Sequence, residues 1–218
     1  MFRTISIAAF VATFIGIALH SLAFPCGGER RWCPLGILRK LVHLFTLFFL
    51  EQKLSLVGIV KKLVYLLAIL CFVVLAITGF YPLLVLDEHI SGYLMMIHAT
   101  FAPVFAICLA VLAVMWARNN RLAESDWPFF ERIVRRLTQS RTPRPDTARS
   151  GLLGQKIGFW LLVFLALPLI LSIILSMFPI FGTDWQELLL AAHRYTALIF
   201  ALVAIIHTYL VIRTQMLH

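Results

Sequence analysis

Charge is what this sequence has least of. Asp, Glu, Lys and Arg make up 13% of its 218 residues, against 61% apolar ones, and the mean hydropathy is +0.94. That is too little polar surface to solvate a globule, which excludes the soluble classes and leaves an integral membrane protein. Acids are scarcer than bases, giving a net charge of +9. The interleaved aromatic and basic residues of a nucleic-acid-binding face are absent, so membrane topology accounts for that excess and no nucleic-acid partner is expected. Only four cysteines occur, none in a Cys-x-x-Cys-His arrangement, which excludes covalently attached c-type haem on this chain. There is no internal repeat, which counts against a transporter built from inverted halves.

What is present is long apolar runs. A helix needs about 20 apolar residues to cross the hydrocarbon core, and such runs fall at roughly 5 to 24, 57 to 86, 91 to 117, 155 to 180 and 187 to 212. The fold class is therefore an all-α integral membrane protein, a bundle of about five transmembrane helices. Between the first two, "PLGILRKLVHLFTLFFL" at 34 to 50 carries Arg39, Lys40 and His43 in its first half and reads as an amphipathic helix in the interface. The N-terminal run has the outline of a cleaved signal, but cleavage would leave a basic segment outside, so it is kept as the first helix.

Lys and Arg set the orientation. The 25 to 62 segment holds Arg30, Arg31, Arg39, Lys40, Lys53, Lys61 and Lys62, and the 118 to 150 loop holds eight Arg against four acids. Both belong on the cytoplasmic side of a bacterial inner membrane, with the N-terminus periplasmic and the C-terminus cytoplasmic. Within that loop, "SRTPRPDTARSG" is expected to be irregular. Cys71 and Cys108 read as small buried hydrophobes. Cys26 and Cys33, in "FPCGGERRWCPLG", read as a packed turn or as two of the four thiolates of an iron-sulfur cluster.

The chemistry lies in the histidines. Imidazole in hydrocarbon is costly and marks a functional site by default. His193 and His207 are fourteen residues apart, which on a helix is about 40° short of four turns with a rise of ~21 Å. Two rings on one face at two depths are what two stacked haems need, since a neutral imidazole is an axial haem ligand. His98, early in the third run, matches the depth of His193. For His207 the partner is His20, near the inner end of the first helix, or His43 on the interfacial segment. His89 and His218 read as solvated.

"GQKIGFWLLVFLALPLILSIILSMFP", "LLAAHRYTALIFALVAIIHTYL", "MIHATFAPVFAICLAV" and "ESDW" in the loop together resemble the four-helix dihaem cytochrome b (gamma) subunit of formate dehydrogenases and the related anchors of nickel-iron hydrogenases. The resemblance spans about residues 57 to 213. It implies an outer haem b on His98 and His193 and an inner one on His207, two haems in all or one if the inner site is incomplete. It also implies quinone or menaquinone as substrate, and a periplasmic multihaem cytochrome c or iron-sulfur catalytic subunit as partner. The chain would then be the electron-transfer subunit of an oxidoreductase complex, with no catalytic residue of its own. Residues 1 to 56 would be an addition to a four-helix cytochrome b-type domain at 57 to 218.

The chain departs from that pattern at two positions. Tyr65 stands where the family has the inner haem's second histidine, and Leu152 where it has a quinone-binding Asn. Arg194 and Tyr209 are the expected tuning groups, and Asp87, Glu88, Asp184 and Glu187 the expected docking rim. The alternative is a haem-free anchor or transporter-like scaffold whose histidines relay protons or bind a metal.

Overall fold

The computed structural model describes residues 1–23, 56–121, 147–178 and 182–217. All regular structure among them is helical: α1 (Phe2–Ala23), α2 (Leu56–Tyr81), α3 (Gly92–Ala117), α4 (Thr147–Met177) and α5 (Thr183–Leu217), with a π-helical turn at Pro82–Leu86 extending α2. Five of these helical stretches are long and apolar enough to cross a membrane. Their outward faces carry Leu63, Val114, Phe164 and Leu171, all well exposed, as lipid-facing residues should be when the surrounding solvent is hydrocarbon. The expected interfacial helix, Cys26, Cys33, His43 and most of the Arg-rich loop lie outside the described residues.

The last two helices run longer than the apolar runs that announce them. α4 begins at Thr147, so the "TARSG" end of the supposedly irregular segment is helical. A Gly there costs about 1 kcal/mol relative to Ala, which the apolar run that follows absorbs. α5 extends from Thr183 to Leu217 because its polar ends lie beyond the hydrocarbon while its backbone bonds continue. α2 ends where Pro82, lacking an N–H, breaks the regular pattern. The next residues widen into a π turn closed by Asp87 in the left-handed region at φ 58°, and α3 starts on Gly92 at φ +55°, a conformation open to glycine.

Neighbouring helices pack antiparallel, α2 on α3 and most extensively α4 on α5. Between α2 and α3 the contacts run from Thr78 with His98 to Tyr65 with Trp116. Buried Ala68, Cys108 and Leu112 fill the space between them. Cys71 and Cys108 are both buried free thiols, as their apolar context suggested. α1 lies alongside α5 and against the end of α2. Phe2 meets Tyr195 edge-on at 4.9 Å, Phe10 meets Phe80 at 5.3 Å, Arg3 Nη1 pairs with Asp87 at 3.0 Å, and Arg3 Nε donates to the Leu84 carbonyl. One end of the bundle is thus marked by Arg3 and Asp87, the other by Arg213.

Candidate functional site

At the Asp87 end, α3 and α5 bring His98 and His193 within electrostatic reach of each other. Each ring is held from behind by a different helix. Thr78 places its own proton on the Val74 carbonyl at 2.8 Å, the usual satisfaction of a threonine inside an apolar helix. Its oxygen then accepts from His98 Nδ1 at 2.9 Å. The adjacent Gly79 gives the ring room, for a Cβ there would lie 3.3 Å from His98 Cε1. On α4, the Leu169 carbonyl accepts from His193 Nδ1 at 2.9 Å. Both imidazoles therefore carry their proton on Nδ1 and present the Nε2 lone pair, the tautomer a metal-ligating histidine needs.

Two turns past the bundle's middle, His207 is seated on α4 instead. A Cβ at Gly158 would stand 2.7 Å from His207 Nδ1 and 3.2 Å from its Cβ, so only glycine permits this approach. One turn earlier a Cβ at Gly154 would meet Leu210 Cδ1 at 2.9 Å, and Gln155 Nε2 donates to the Leu210 carbonyl at 3.0 Å and contacts Thr214 Oγ1. Gly154 and Gly158 form a small-residue seam of the kind that lets membrane helices approach closely. His207 Nδ1 is buried and makes no hydrogen bond, although the Gln155 carbonyl faces it. Tyr65, which stands where the resembled cytochrome b subunits have a histidine, packs its ring on Trp116 at 5.3 Å and on the Ala68–Cys108–Leu112 cluster.

His20 is brought to α5, but not to His207. Arg213 Nη1 donates to His20 Nδ1 at 2.6 Å and to the Tyr209 hydroxyl at 3.0 Å, and that hydroxyl lies 2.9 Å from His20 Nδ1. Tyr209 and Arg213 sit about 160° and 120° around the helix from His207, so the trio occupies a different face. Guanidinium has donors only. His20 Nδ1 must accept, which puts the proton of the neutral ring on Nε2 and leaves no lone pair there for iron. Tyr209 likewise points away from His207. Among the expected docking acids, Asp87 is already engaged by Arg3.

Sequence reading missed Thr78, Gly79, Gly158 and the Leu169 carbonyl. A lone Thr within "VVLAITGF" and glycines at 154 and 158 were the available signals for the first three. A backbone carbonyl gives none. Among the described residues no three His, Cys, Asp or Glu converge as a metal-ion site. Haem fits the residues present. It needs neutral imidazoles singly or in facing pairs, with ring orientation fixed from behind, and His98, His193 and His207 are offered in that way.

The bundle is that of a membrane-embedded b-type cytochrome. Residues 58–218 match the prokaryotic cytochrome b561 family, and the chain belongs to it: a membrane electron-transfer cytochrome that binds haem b. The match covers α2 to α5 and leaves α1 outside. No curated protein and no solved structure matches the chain.

Proposed function

We propose that the protein is the membrane subunit of a respiratory complex and carries electrons between a periplasmic redox partner and the quinone pool. Haem b supplies a one-electron iron couple when bound. The observation that carries the reading is that His98 and His193 each set Nδ1 against a hydrogen-bonding group of a neighbouring helix, the Thr78 hydroxyl and the Leu169 carbonyl, with each ring half-buried inside the bundle. These two would hold the haem at the periplasmic end, and His207 the haem at the cytoplasmic end. Thr78 and Leu169 hold the ring protons, Gly79 and Gly158 hold the ring planes, and the apolar helices exclude water. For the second ligand at His207, the accepting Nδ1 of His20 favours His43 over His20. The acids Glu88, Asp184 and Glu187 remain the rim on which a basic face of a cytochrome or iron-sulfur subunit would dock, and the complex would name its substrate.

The test is the purified protein itself. Dithionite reduction should give the paired α and β bands of low-spin haem b, with two haems per chain, and quinol added to proteoliposomes should reduce them. A protein without haem bands would overturn the reading, and bands without quinol reduction would remove the quinone from it.

A further inference from the structure

Midway between the two histidine levels, three helices each contribute one phenylalanine to a single cluster. Phe72 of α2 lies 6.1 Å from Phe105 of α3 and 6.0 Å from Phe200 of α5, and Phe105 meets Phe200 edge-on at 5.9 Å. The register puts them there by arithmetic. Phe200 is seven residues from His193 and seven from His207, and Phe105 is seven from His98. Seven residues are two turns less about 20°, with a rise of roughly 10 Å. The rings therefore stand on the histidine face, one level in from each site. Phe200 is only 4% exposed.

We infer that Phe72, Phe105 and Phe200 form an aromatic spacer that fills the layer between the two haem positions and sets the electronic contact between them. This rests on the two-site reading above. An electron crossing a protein interior couples better through packed atoms than across a void, because each gap must be crossed through space. Three aromatic rings at centroid spacings inside the favourable 4.5–7 Å range fill such a layer with no polar atom that would hold water. The buried neighbours of Phe200 on its own helix, Leu198 and Ala201, are aliphatic and too short to span the width between α2, α3 and α5. The cluster also has no bond to make with either ring system, so its removal leaves the ligands and their hydrogen bonds in place.

The experiment is flash photoreduction of the haem-loaded protein in proteoliposomes by a membrane-impermeant ruthenium complex outside. His207→Ala protein supplies the spectrum of the outer site alone. Haem count and both midpoint potentials are measured in parallel. Phe200→Ala, which leaves a void, should slow electron equilibration between the sites several-fold with haem count and potentials unchanged. Phe200→Met, which fills most of the void, should recover part of the rate and keeps the test available if the alanine variant does not fold. Phe164→Ala, on the lipid face, should leave the rate at its original value. Unchanged equilibration in both Phe200 variants, or a fall that merely follows a loss of haem or a shift in potential, would overturn the spacer while leaving the two-site reading intact. A single haem in the unmodified protein would overturn both.

Discussion

His193 Nδ1 lies 2.9 Å from the carbonyl oxygen of Leu169, twenty-four residues earlier on the adjoining helix, and because a carbonyl can only accept, that one bond puts the ring's proton on Nδ1 and leaves Nε2 with the lone pair. The same carbonyl also accepts from the Ser172 hydroxyl at 3.1 Å, so it is a doubly used acceptor on a helix interrupted by Pro168. With no side chain to mutate at the acceptor, the ligand is the accessible handle. His193→Ala should remove one low-spin haem and leave the other, so that haem per protein falls by half in a pyridine haemochrome assay. Full haem content in the variant would remove His193 from the site.

Thr78 offers a finer probe. Thr78→Val keeps the shape and deletes the oxygen that accepts from His98 Nδ1, leaving a buried N–H without a partner at a cost of about 1–3 kcal/mol. Loss of such a supporting bond typically weakens a metal site by about 10–100-fold. Haem retention during detergent washing should therefore drop and the midpoint potential of that haem should shift, with Thr78→Ser restoring both. An unaltered potential in the valine variant would mean that the hydroxyl does not reach the site.

Gly158 and Gly154 separate two kinds of close approach. An alanine at 158 would press on the ring and Cβ of His207, whereas one at 154 would press mainly on the flexible tip of Leu210. Overpacking costs typically about 1–3 kcal/mol, and at 158 it falls on the imidazole proposed to hold the inner haem. Gly158→Ala should strip or perturb the inner haem in the reduced spectrum, while Gly154→Ala should lower thermal stability and keep both haems. Equal spectra in the two variants would show that His207 does not depend on its glycine.

His20 and His43 are distinguished by carbon monoxide. His20 accepts from Arg213 and bonds Tyr209, so His20→Ala should leave both haems six-coordinate and unreactive to it, though α1 would hold less firmly to α5. His43→Ala should turn about half the haem high-spin and reactive, by the two-haem, bis-imidazole logic of such sites. The reverse pattern would return the role to His20.

Orientation is checked with reporters. A reporter fused after Pro145 should behave as cytoplasmic and one fused after Gly182 as periplasmic, because positive residues are retained on the cytoplasmic side. The opposite result would place His98 and His193 at the cytoplasmic end.

The sequence by itself determined the class, the number of spans and the common face of α5 on which His193 and His207 stand. Hydrophobic length is a local property, and a fourteen-residue spacing reports one helix face whatever surrounds it. It also showed His98 at the depth of His193, since depth is counted along a helix from its end. Which ring nitrogen is free was decided only in the tertiary structure. The Leu169 carbonyl, the Thr78 hydroxyl and the Gly158 surface approach from other helices, and their partners lie 24, 20 and 49 residues away in the chain. The neighbours of His20 were decided there as well. Its depth matched His207, but depth along a helix says nothing about the direction in which the helix turns its side chain. Packing of α1 against α5 turned it towards Tyr209 and Arg213, where a donor-only guanidinium takes the lone pair of Nδ1.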